Sequence, residues 1–376
     1  MLEKNDMNKR KTSIELMRFL GSAMVVFVHC RGFLYPDSPL AQFAFPIVDF
    51  FFMVTGYFTM SDASKAITMQ KDGSSSSKSR FLPEAADTIR YVWHKAKDIF
   101  VLYIFALILA FVIRTAQKDV FSMSETLQEL FHFKWEFLML HMLGFNHAPA
   151  FNVDYLLGPG WFISSMMIAL VPFYFFARRF GKTFSGVIAP ISMVLIYAFI
   201  IQSYNTLDVG NEVAFGMIMV GNLRAFAGLA VGALAFHLNE HVAKKLKERK
   251  DTVFFGVTDI ISWVMAVSLF VFPAGVLPDA DMVFWMVAFM FLLLNGLNDA
   301  GPISRFLNHH GSKLWGKLGK LSMYIYLLHM PVILIWQKHV HLDSPVIGSI
   351  LIFAIAAVFS AAVMFIQERI RSGKKA

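Results

Sequence analysis

The feature that most restricts this chain is a series of ten long apolar stretches separated by short connections, many rich in Lys and Arg. They cover residues 14–33, 40–60, 99–115, 161–177, 184–203, 216–236, 252–272, 282–297, 321–337 and 346–366. A helix rises about 1.5 Å per residue, so about twenty residues cross the roughly 30 Å hydrocarbon core of a bilayer. The 376 residues are 57% hydrophobic and include 40 Phe. With a mean hydropathy of +0.57, that composition belongs to an integral membrane protein and excludes an ordinary soluble domain. Cys30 is the lone cysteine, which rules out an intramolecular disulfide and a cysteine-based metal cluster.

The net charge of +8 does not point to nucleic acid, because no surface interleaving basic and aromatic residues is discernible. The charge instead follows topology. With both termini inside, 27 of the 34 Lys and Arg fall in inner segments. Five (Arg31, Arg114, Lys118, Lys134, Lys338) fall outside, and Arg18 and Arg224 lie within spans. That asymmetry is the positive-inside pattern. The expected architecture is therefore all-α and integral to the membrane. It has about ten transmembrane helices, cytoplasmic termini, and a single polytopic domain over residues 1–376 with no soluble domain appended.

Some segments need separate treatment. The basic start, KNDMNKRK, is followed by no small-x-small cleavage site, so the N-terminus reads as retained. Pro83 suits the first turn of a helix that begins on the membrane surface and continues as the third span. Residues 127–143 are apolar but carry Glu129, His132, Lys134, Glu136 and His141. They read as an interfacial or re-entrant helix on the outer side; a full crossing there would invert every later span. His132, His141 and His147 lack tight ligand spacing, so no metal is expected. No repeat of fixed period is evident, which argues against a transporter built from duplicated halves.

The first stretch, IELMRFLGSAMVVFVHC from Ile14 to Cys30, carries an arginine and a histidine where a membrane helix ordinarily carries neither. Arg18 and His29 are separated by eleven positions. At about 100° per residue they fall within about 20° of one face, about 16 Å apart along the axis. An ionisable group at bilayer depth costs about 2.5–3.5 kcal/mol on insertion scales, so the shared face points to a protein interior or wet cavity. Glu15, one turn before Arg18, is placed to pair with it. Arginine stays charged and forks onto phosphate oxygens, while histidine exchanges a proton near neutral pH. The layout suits a donor with a phosphate head at the cytoplasmic mouth and a reactive arm reaching outward. Coenzyme A thioesters have that shape, although the geometry alone does not single them out.

Four further stretches carry recognisable patterns. VDFFFMVTGYF (48–58) contains Asp49 and, six residues on, Thr55. PGWFISSMM (159–167) opens a helix with Trp161, and LRAFAGLAVGALA (223–235) combines Arg224 with spaced glycines. LGKLSMYIYLLHMPVIL (318–334) carries Ser, Tyr, Tyr, Leu, His and Pro in series. Together with the first helix, and in this order, these pieces resemble the membrane acyltransferase-3 family over nearly the whole chain. The resemblance implies transfer of an acyl group from cytoplasmic acyl-CoA to a hydroxyl of an envelope or extracellular carbohydrate. The acetyl group of acetyl-CoA is the expected cargo. It further implies a bacterial plasma (inner) membrane location, contact with membrane lipids, no permanently bound cofactor, and separate polysaccharide-synthesis proteins as partners.

On that reading His29 is the general base on the acceptor hydroxyl, or alternatively a covalent acyl-histidine, and Arg18 holds donor phosphates or orients the thioester. Glu15, Asp49 and Arg224 support them, with Asp49 placed beside His29 and Arg224 lining the same cavity. Trp161 either stacks on the acceptor or belongs to an aromatic belt. One departure concerns the third span, where the family carries Arg-x-x-Arg and a proline. Here Lys95 and Asp98 stand at the arginine positions and Val101 at the proline. Lys95 then either binds donor phosphate or marks a basic helix end at the headgroups. His329, two residues before Pro331, is expected to serve the helix and not catalysis. Gly228 and Gly232 read as a close-packing pair. The competing reading is a flippase or exporter of a lipid-linked sugar or polysaccharide, using the same cavity without chemistry.

Overall fold

The computed structural model describes residues 11–71, 83–118, 122–138, 156–248, 252–273 and 283–373. In chain order the helices are α1 (Thr12–Phe33), α2 (Ile47–Lys71), α3 (Pro83–Ala116), α4 (Met123–Phe137) and α5 (Gly160–Phe180). A π-helical turn (Phe184–Ile188) runs into α6 (Ala189–Tyr204), and a two-stranded hairpin follows, β1 (Val213–Ala214) against β2 (Ile218–Met219). The chain ends with α7 (Val220–Lys247), α8 (Thr252–Ser268), α9 (Val283–Asn298), α10 (Pro302–His309), α11 (Ser312–His339) and α12 (Pro345–Gly373). Hydrocarbon offers the backbone no hydrogen bonds, so segments this apolar satisfy their N–H and C=O groups internally as helices.

All ten stretches expected to cross are helical over most of their described length. Among the described residues seven spans qualify by length and composition: α1, Ile99–Ala116 of α3, α5, Phe184–Tyr204, α7, α11 and α12. An eighth arises if α9 and α10, bent by 50°, count as one. The protein is an all-α integral membrane protein. α8, with 17 residues, is short, and α2 carries Asp49 and Asp62 among its apolar residues. The second helix starts at Ile47, not Leu40, because the preceding residues form turns anchored by Ala41, whose N–H reaches Phe270 O at 2.8 Å. Residues 216–219, expected at the start of the sixth span, belong instead to the hairpin that precedes α7.

α3 is one continuous 34-residue helix from Pro83. α4 is capped by the Ser122 hydroxyl, which accepts from Glu125 N, and it ends after 15 residues. That length, about 22 Å, is too short for a bilayer core and fits an interfacial helix. Residues 139–143 of the questioned segment, with His141 and His147, lie outside the described residues.

Two close approaches organise the bundle. α2 and α7 touch backbone to backbone: a Cβ on Gly56 would collide with Leu229 O, and one on Gly232 with Met53 O. The close-packing reading of Gly228 and Gly232 therefore holds, and a Cβ on Gly228 would strike Phe52. α1 and α11 run in the same direction. A Cβ on Gly319 would strike the Glu15 side chain, and farther along both helices His29 meets His329.

Ion pairs knit together one end of the bundle. Lys11 meets Asp299 at 2.9 Å, Arg178 meets Asp87 at 2.9 Å, Arg179 meets Glu84 at 3.4 Å, and Lys320 meets Glu368 at 3.7 Å. This basic end holds the start of α1; His29 lies seventeen residues beyond Thr12, about 26 Å along the helix.

Candidate functional site

The α1–α11 seam carries the two histidines. His29 Nδ1 lies 2.8 Å from Val25 O, one turn back. His329 Nδ1 lies 3.1 Å from Ile325 O, again one turn back. His329 Nε2 lies 3.3 Å from His29 Nδ1. A carbonyl accepts only, so each Nδ1 must carry the proton. His329 Nε2 is then an unprotonated acceptor, and His29 Nδ1–H is shared between it and Val25 O. The network thus assigns both tautomers. It leaves His29 Nε2 as a lone pair with no hydrogen-bond partner among the described residues. His329 is fully buried, and its neighbour Tyr326 donates to Pro159 O at 3.0 Å, bracing the start of α5. His29 is only half-buried, and its ring lies nearly parallel to that of Phe33, with centroids 6.3 Å apart.

The other residues singled out from the sequence divide into three places. Arg18 Nη1 meets Glu15 Oε2 at 3.1 Å, so the expected local pair forms. Asp49, expected beside His29, is instead held by Arg224 and Tyr197. Arg224 Nη2 and Nε reach Asp49 Oδ2 at 2.6 and 3.0 Å, and Tyr197 Oη donates to Oδ1 at 2.9 Å. Arg224 also donates to Phe45 O at 2.9 Å and Val209 O at 3.4 Å. Its guanidinium carbon stands 5.9 Å from the Trp161 ring centroid, and that ring rests on Gly210. Arg224 and Asp49 are 1% and 0% exposed. These bonds tie α2, α6 and α7 together beneath Trp161. Lys95 stands apart on α3, 4.0 Å from Asp62 and over the Tyr91 ring at 5.4 Å.

Sequence reasoning gave His329 only a helix-local part. The bond to Ile325 O agrees with that, but the contact with His29 was not visible. The one signal available was the motif itself, a histidine two residues before a proline. Beside the start of α5, Glu136 is 2% exposed and accepts from Leu157 N at 3.0 and 3.2 Å. Burial pushes its carboxyl up to about 7, although the Leu157 and Leu156 N–H groups pull it down in part. Among the described residues no cluster of His, Cys, Asp and Glu could hold a metal.

A helical membrane protein with a histidine pair on a helix seam, one nitrogen left open, is equipped for proton transfer in a membrane setting. The acyltransferase-3 family, described as an acyltransferase domain, matches residues 11–368, and the chain belongs to that family of membrane acyltransferases. No curated protein and no solved structure matches it.

Proposed function

We propose that this acyltransferase moves an acetyl group from cytoplasmic acetyl-CoA to a hydroxyl of an envelope or extracellular carbohydrate, in a bacterial inner membrane. The observation that carries the reading is the open Nε2 of His29, set by a bond network that commits Nδ1–H elsewhere. The acceptor hydroxyl gives its proton to Nε2 as its oxygen attacks the thioester carbonyl. The C–S bond breaks, and the thiolate takes the proton back from the imidazolium, leaving an ester and free coenzyme A. His329 Nε2, accepting from Nδ1–H, stabilises the imidazolium and holds the ring. Arg18 beside Glu15 serves the donor, and Trp161 offers a flat apolar face to a sugar ring. By the positive-inside rule the basic end faces the cytoplasm, which puts His29 toward the acceptor side. Family membership favours transfer over export of a lipid-linked sugar.

The test is release of free thiol from acetyl-CoA by the purified protein in nanodiscs, with and without oligosaccharide acceptors. Release that an acceptor accelerates, and that His29→Ala abolishes, is expected. Release no faster than in the His29→Ala variant under any acceptor would remove the transferase mechanism.

A further inference from the structure

At the basic end, the foot of the α1–α11 seam opens into a hollow of about 460 Å³. Its lining includes Thr12 at the start of α1, Asn308 at the end of α10, and Lys313, Gly316, Lys317 and Lys320 on α11. The floor is chemically spent. Thr12 Oγ1 donates to Leu307 O at 2.8 Å, and Asn308 accepts from Ser13 N at 2.8 Å while donating to Gly296 O and Asp299. Asp299, which bonds the floor residue Asn308, is also occupied by Lys11. The lysines differ from the floor. Lys320 has Glu368 at 3.7 Å, but Lys313 and Lys317 form no ion pair among the described residues. Spaced at i, i+4 and i+7 on α11, the three ammonium groups share a face. The first turn of α11 also begins at this hollow, and the positive end of its dipole adds partial charge there. A Cβ on Gly316 would meet nothing within 4 Å, so a larger side chain there has open space to grow into the hollow.

Unpaired ammonium groups, a helix start and a space with no filling side chain call for an anion of several oxygens, and phosphate is the obvious class. Both a coenzyme and an acidic phospholipid carry phosphate; position favours the coenzyme. Lys317 and Lys320 precede His329 on the same helix by twelve and nine residues, about 18 and 14 Å of rise. A ligand anchored here by phosphates thus lies at the foot of the helix pair that carries the histidines. We infer that this hollow binds the phosphate-bearing end of the coenzyme A donor, through Lys313, Lys317 and Lys320. The inference rests on the acyl-CoA reading and moves donor recognition from Lys95, whose charge faces Asp62, to the foot of α11.

The experiment is calorimetric titration of coenzyme A into the full chain in phosphatidylcholine nanodiscs. It compares wild type, Lys313→Gln/Lys317→Gln, Gly316→Leu, and a control, Lys244→Gln/Lys247→Gln, at the end of α7. The two lysines are exposed and Gly316 has room, so these variants are expected to fold. The lysine pair should weaken binding at least tenfold and flatten its salt dependence. Gly316→Leu should weaken it similarly with the charge unchanged, and the control should match wild type. Wild-type affinity in both hollow variants would overturn the site while leaving the acyl-CoA reading intact. No coenzyme A binding by wild type would overturn both. A second arm replaces the lipid by phosphatidylglycerol and follows thermal stability. If the lysine pair keeps coenzyme A affinity but loses stabilisation by that lipid, a headgroup occupies the hollow and the inference falls.

Discussion

Two buried polar assemblies sit in this bundle, and they are built on opposite principles. In the Asp49–Arg224–Tyr197 group the carboxylate is bonded by the arginine fork and a phenol, and the guanidinium reaches two carbonyls as well. In the His29–His329 group every donor is committed, yet one acceptor nitrogen is left over. A saturated assembly can hold helices together but has nothing to offer a substrate. An unsaturated one costs stability where it is buried, and it persists where a substrate completes it. In sequence Asp49 and Arg224 read as supporting His29, and His329 as serving its own helix; the bonding regroups them.

The largest expected effect tests the open nitrogen. His29→Ala should lower turnover per folded molecule by about 10²–10⁴-fold, as loss of a general base does, with the melting temperature little changed. His29→Gln should be nearly as inactive. If either retains more than about a tenth of wild-type turnover, the histidine is structural and the contrast collapses.

The saturated group should respond in the other currency. Arg224→Met strands the buried Asp49 carboxylate and should cost about 3–5 kcal/mol of stability, read as a lower melting temperature and reduced yield. Arg224→Met/Asp49→Leu removes both charges and should recover much of that loss. Turnover per folded molecule should stay near wild type; a hundredfold fall in well-folded protein would move this group into the chemistry.

Glu136 offers an intermediate case, a buried carboxylate held by backbone N–H groups. Its folded value of about 7 lies above the roughly 4.3 of an unfolded glutamate. The protonated form is thus favoured by folding. This contribution is fully present below about pH 4 and is lost as pH rises through 7, up to about 4 kcal/mol in all. Glu136→Gln should melt higher than wild type at pH 8 and about equally at low pH. Parallel melting curves for the two proteins from pH 5 to 8 would refute this.

The smallest effect concerns the partner histidine. One neutral hydrogen bond contributes about 0.5–1.5 kcal/mol, so His329→Leu should lower kcat about threefold to tenfold with KM unchanged. His329→Gln, whose carbonyl can still accept from His29 Nδ1–H, should recover most of the loss. Equal losses in both variants, or a change in KM alone, would show that His329 acts only as packing.

The sequence alone determined what depends on spacing along one helix. Apolar runs matched to the bilayer set the helical build, the i,i+3 relation set the Glu15–Arg18 pair, and GxxxG spacing marked the face where α2 meets α7. Five motifs in order announced the family. Tertiary structure alone decided which motif meets which. His29 and His329 stand 300 positions apart, and Asp49 and Arg224 stand 175 apart. Their pairing depends on how far each helix is rotated and tilted against its neighbours. That rotation is a balance of many weak side-chain contacts over the whole bundle, and no single helix encodes it. The hollow at the foot of α11 has the same origin: its lysines are local, but its floor is supplied by α1 and α10.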